Sequence, residues 1–376
     1  NIGIGYQAGG NTTTANGNIY IGRSTGNNNN SGIENVCVGE YNYTHTPGIV
    51  NFRNVTTLGS NAGRYATGSY NTFLGSFAGH GGNTSAPFNS GQYNTAVGHE
   101  ALKVFTTGTK NNIIGYRAGY STTTGFTNQY IGYQAGYRNT TGRANIAIGA
   151  NSQQGVSGQT TGQYNVSLGE NSLFGLTTGN HNFVVGNNAG YSLTSGENNI
   201  IMGAAAGDAL TTTSNSVIIG RAAGTAINSA DANGTVLLGA YAGTALTDGQ
   251  YNTAIGTSAL ATEDTGNYNT AVGYEALTTQ NVNGTVNNTA VGYKAGYAVT
   301  TAIEATILGS NAGVSLTEGQ YNTLIGAGAA ASLTTGDYNT ALGYRTLYTE
   351  DVGRGTTAIG YQTLYSQNSD SNDEET

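Results

Sequence analysis

A nine-residue motif, Asn-Thr-Ala-Val-Gly-Tyr-x-Ala-Gly, recurs along the whole chain and is plainest at Asn288 to Gly296. Its central glycine occurs 21 times, from Gly5 to Gly360. Fourteen of the twenty intervals are 17 residues long, and the others are 16, 19, 19, 20, 20 and 23. Self-similarity at a fixed short period marks a stacked repeat, in which each unit contacts its neighbours and a continuous core forms only on stacking. Such a chain builds length and a repetitive surface, not one deep pocket.

The unbroken repeat argues for one elongated domain over residues 1–365, followed by an acidic tail, 366–376, that holds Asp370, Asp373, Glu374 and Glu375. Glycine is abundant, 60 of 376, but it does not recur every third residue, and there are only two prolines, so neither collagen nor a Pro/Gly linker fits. The net charge is −8 and half of it lies in the tail, so the near-neutral body offers nothing to a nucleic-acid backbone. No stretch is long and apolar enough to insert in a membrane. The chain opens in mid-register on Asn1 and reads as a mature or excerpted part of a larger polypeptide. Cys37, the single cysteine, falls at a usually apolar position and reads as a small buried hydrophobe.

We number each repeat from its Asn, so that the anchor glycine is position 5. Position 4 is Ile, Val, Leu or Met in all 21 copies, and is expected to form the core. Position 2, most often Thr or a β-branched residue, shares its side of an extended chain because strand side chains alternate. A helix is excluded by dense glycine, frequent β-branching and the lack of a 3.6-residue stripe. A coil of this length holds two short strands and two turns. The fold class is therefore all-β: a parallel β-solenoid of about 21 coils with a 17-residue period, roughly 100 Å long at ~4.8 Å per coil. Position 8, Ala in 15 of 21 copies, marks where the two sides of the coil come close. The longest insertion, around Gly81 to Gly91 with Pro87, reads as a surface loop.

Three columns carry expectations about sites. Position 1 is usually Asn, and stacking should turn Asn94, Asn145, Asn165, Asn252, Asn269, Asn288, Asn322 and Asn339 into an axial hydrogen-bonded ladder. Position 3 lies between two inward positions and should face outward, yet it is apolar or aromatic in 18 copies, including Phe73, Ile113, Ile201, Ile218, Leu237, Ile307 and Leu324. An apolar stripe of that length exceeds what a soluble monomer exposes, which predicts an inter-chain interface along the rod. Tyrosine at position 6 (Tyr116, Tyr133, Tyr274, Tyr293, Tyr344 and Tyr361) either stacks between coils or offers an aromatic surface to host glycans.

Asn269 to Leu277 and Tyr116 to Gly125 resemble repeats of phage tail-fibre proteins and other bacterial fibre proteins, and the Asn-x-Ala-Ile-Gly core is similar to the head repeats of trimeric autotransporter adhesins. The resemblance covers the chain through about Tyr365, although the period is longer than that of an adhesin head. It implies a left-handed parallel β-roll, a homotrimer and an extracellular setting at a cell surface, filament or virion.

No chemistry is expected. His45, His80, His99 and His181 share no column, the acids lack the recurring register of calcium solenoids, and no nucleophile–base pair stands out. The expectation is a non-enzymatic structural fibre or adhesin segment with no cofactor and no metal, partnered by copies of itself. A self-polymerising surface filament is the alternative. Ice binding is a lesser one, suggested by Thr at position 2 in seven successive coils from Thr253 to Thr357.

Overall fold

Each anchor glycine ends a three-residue strand formed by positions 2 to 4, and 21 such strands run from Ile2–Ile4 to Thr357–Ile359. The computed structural model describes residues 1–43, 51–82, 89–156, 158, 160–229 and 232–369. Pro87 and the acids from Asp370 onward lie outside the described residues. Among those described there is no α-helix, and the chain makes about 20 turns of a parallel β-solenoid. It divides into two compact units, Asn1–Asn188 with eleven of the strands and Ala189–Thr376 with ten.

Within each unit the strands pair in parallel and in exact repeat register: Asn112 with Gln129 and Ile113 with Tyr130 in the first, Thr306 with Thr323 and Ile307 with Leu324 in the second. Among the described residues the second strand expected in each coil is not formed as a regular column. The far side is a stack of turns bonded from coil to coil, as in Gly119 N to Ala135 O at 2.8 Å, with one short exception, Gly266–Asn267 against Gly284–Thr285.

The motif follows from four bends per coil with positive φ, at positions 5, 7 and 9 and at the residue before position 1. In the coil anchored on Gly292 these are Asn287 at 57°, Gly292 at 143°, Lys294 at 53° and Gly296 at 60°. A φ near 140° is open only to glycine. A Cβ on Gly292 would also lie 2.5 Å from the Gly309 carbonyl oxygen, so the anchors stack backbone on backbone.

The core is the narrow space between position 3 and the small position 8. Position 3 is buried in every strand but the first: Tyr20, Phe73, Ile113, Ile201 and Leu324 are all at most 1% exposed. Positions 2 and 4 point the other way, with Leu58 at 54%, Leu308 at 44% and Ile359 at 61% exposure. This inverts the expected assignment. The expected interface residues Phe73, Ile113, Ile201, Ile218, Leu237, Ile307 and Leu324 are all interior, at 0% exposure, and the expected core column faces outward. Cys37, at position 3, is buried, and desolvation pushes its thiol up to about 12. It behaves as a small hydrophobe.

Candidate functional site

The predicted Asn column lies inside the fold and has two tasks. Each amide nitrogen closes its own coil and each amide oxygen accepts from the next. Asn111 shows the pattern: its Nδ2 donates to Gly125 O at 2.9 Å, while its Oδ1 accepts Asn128 N at 3.0 Å and Asn128 Nδ2 at 3.1 Å. Asn94, Asn145 and Asn165 repeat it, closing on Gly108, Gly162 and Gly179 at 2.8–2.9 Å. In the second unit Asn252, Asn322 and Asn339 close on Gly266, Gly336 and Gly353 at 2.7–2.8 Å. Asn288 closes on Ala302 at 2.7 Å, and its Oδ1 accepts Ala305 N at 2.8 Å. Asn269 departs from the pattern. Its Oδ1 accepts Asn288 N, but its Nδ2 has no partner, in a coil two residues longer than the usual 17.

Polar side chains replace the aliphatic residue at some interior position-12 sites, which sequence reading passed over. Leu246, Leu316 and Leu333 hold this column elsewhere, but Glu263 and Glu350 occupy it fully buried. Glu263 accepts Gly266 N at 2.6 Å and Gln280 Nε2 at 2.9 Å. Glu350 accepts Gly353 N at 2.6 Å and Ser369 Oγ at 2.9 Å. Both carboxylates are saturated by donors of their own turn and of the next coil, so they act as turn staples.

The tyrosines form outward columns of stacked rings. Tyr116 lies on Tyr133 with centroids 5.3 Å apart, Tyr274 on Tyr293 at 5.5 Å and Tyr344 on Tyr361 at 5.6 Å. A second column, just before position 1, pairs Tyr70 with Tyr93 and Tyr321 with Tyr338 at 4.9 and 5.0 Å. Cations at position 7 bridge the rings, Arg345 lying 5.2 Å from Tyr344 and 5.3 Å from Tyr348. Where Ser310 and Ala327 interrupt the position-6 column, a shallow hollow of about 350 Å³ remains beside Tyr344 and Arg345.

One cluster of titratable groups in the first unit is centred on Glu100. Glu100 bonds Lys103 Nζ at 2.5 Å and Arg117 Nε at 2.6 Å. Burial opposes its charge, but these two cations hold its carboxyl below the usual range. Beside it, burial pushes His80 down to about 4. Among the described residues no three His, Cys, Asp or Glu side chains group as metal ligands would.

What remains is the outward face of the sheet. Position 4 is Ile, Val, Leu or Met in every coil and position 2 carries no charge in any, so none of these 42 positions has a charged side chain. In the first unit Ile2, Val36, Leu58, Ile114 and Ile148 are all more than a third exposed. In the second the same holds for Ile200, Met202, Leu238, Leu308 and Leu342. The seven successive threonines lie on this face beside the aliphatic column. No protein-family model, curated protein or solved structure matches the chain.

Proposed function

We propose that the chain is a structural segment of an extracellular fibre, in which solenoids lie side by side with their outward sheet faces covered by other copies. The observation that carries this reading is the aliphatic column at position 4. Soluble monomers seldom expose contiguous apolar patches beyond a few hundred Å². Strands apolar on both faces are normally covered on both. Position 3 meets the core, and position 4 requires a cover of its own.

Most polar groups of the interior are spent on closing coils and joining them, which supports a structural role. The stacked tyrosines border the sheet face and remain available to glycans in a fibre that serves as an adhesin. Light scattering and electron microscopy of native protein test the reading. Rods of fixed width, more than one chain thick, are expected at micromolar concentration. A monodisperse monomer would sink the proposal, and filaments of indefinite length would replace the segment with a self-polymerising subunit.

A further inference from the structure

The near-neutral body hides a division of charge. Unit Asn1–Asn188 carries eight Lys and Arg against four Asp and Glu, a net of +4. Unit Ala189–Thr376 carries four against sixteen, a net of −12, which accounts for the whole-chain −8. The asymmetry is concentrated beside the apolar face, in the five residues that lead into each position 1. There the first unit places Arg53, Lys110 and Arg143 against Glu34 alone. Among the described residues of the second unit, the same edge places seven acids, Glu197, Glu304 and Glu318 among them, against Arg354 alone. Arg354 is itself within 4.0 Å of Asp337.

We infer that copies of this chain pair head to tail, the first unit of one seated by its sheet face on the second unit of another. This rests on the side-by-side association proposed above and adds its direction. The size of the face suffices. Ten strands at ~4.8 Å, each about 16 Å across between the bends before position 1 and at position 5, present on the order of 800 Å² per unit, the same as the roughly 800 Å² per partner of a standard interface. The aliphatic columns supply attraction that is blind to direction, because every coil offers the same side chains. Charge decides the direction. Copies aligned in register would set +4 against +4 and −12 against −12 along their lengths. The opposed arrangement keeps strand directions parallel across the contact, so the edge of Arg53, Lys110 and Arg143 runs beside the acidic edge of the second unit. Like charges across an interface suppress one arrangement, and complementary edges select the other.

Neutralising three exposed acids, Glu197→Gln, Glu304→Gln and Glu318→Gln, separates the two arrangements by sign. Association is measured by sedimentation at low and at high salt. Head-to-tail pairing predicts that wild-type association weakens as salt rises and that the triple variant associates roughly tenfold more weakly at low salt. In-register pairing predicts the reverse for both, since the substitutions and the salt would relieve repulsion. A variant that matches wild type at every salt concentration overturns the inference while leaving side-by-side association standing. A wild type that stays monomeric throughout removes both.

Discussion

Ile113 and Ile114 are neighbours of the same residue type in one strand, yet they meet different surroundings. Ile113 is fully buried against the small far side of the coil, whereas Ile114 stands on the outer face at 37% exposure. Truncating each to Ala therefore has opposite readouts. Ile113→Ala leaves a cavity that neighbouring coils cannot refill, at a cost of ~2–5 kcal/mol in denaturant unfolding. Ile114→Ala removes partly solvated atoms and costs about 0.5 kcal/mol, while self-association declines. If the two variants lose equal stability, the inward and outward columns are not distinct. Sequence alone inverts this pair for a physical reason. Uniform aliphatic character at position 4 looks like a core, and the true core column ranges from Tyr130 through Ile113 to Ala96 and Ser167. That variation reflects an interior only one side chain deep, where a small residue at position 3, as at Ala96, Ser167 and Ala254, is matched by a large buried one at position 9 of the same coil, Leu102, Leu173 and Leu260. A core this narrow selects for fit between neighbours and tolerates changes of type.

At the scale of the coil, the elements best read from sequence are those whose chemistry admits one residue. The anchor glycine needs a φ closed to other residues and backbone contact with the next coil, so its column is invariant within the chain. The Asn column is nearly so, since an amide is the only short side chain that can close its own coil and still accept from the next. Where an Asn is followed by a lapse in the column, as at Val55, Ser216, Ala305 and Thr356, it still receives the backbone N–H, at 3.0, 3.1, 2.8 and 3.0 Å. The staples at position 12 were illegible because a Glu there reads as a solvated charge, and its partners are backbone groups that sequence does not display. Removing the carboxylate should show what it holds. Glu263→Ala orphans the buried N–H of Gly266 and the amide of Gln280, and should cost about 3 kcal/mol. Glu263→Gln keeps one acceptor and should cost distinctly less, so the denaturation midpoints are expected in the order wild type, Gln, Ala. Equal midpoints for Gln and Ala would assign the effect to lost packing.

For the molecule as a whole, interior and exterior have separate duties. Coil closure, the ladder and the glycine stack all act inside one chain, and none needs a partner. The outward aliphatic column contributes nothing to these, and its uniformity from coil to coil suits a surface that must meet another repetitive surface at any step. Stability and assembly should therefore separate under substitution. Leu238, Leu308 and Leu342 stand outward at 43, 44 and 41% exposure. Replacing all three with Lys adds charge to the centre of the face while leaving every interior contact in place. Burying such a side chain is worth about 1.5–3 kcal/mol when complete, and a lysine buried without a partner reverses the sign. The triple variant should therefore be monomeric at concentrations where wild type associates. Its thermal midpoint, extrapolated to infinite dilution to remove the stabilisation that association itself confers, should lie within a few degrees of wild type. A variant that unfolds would return position 4 to the core, and one that folds and still associates would move the contact to the tyrosine columns.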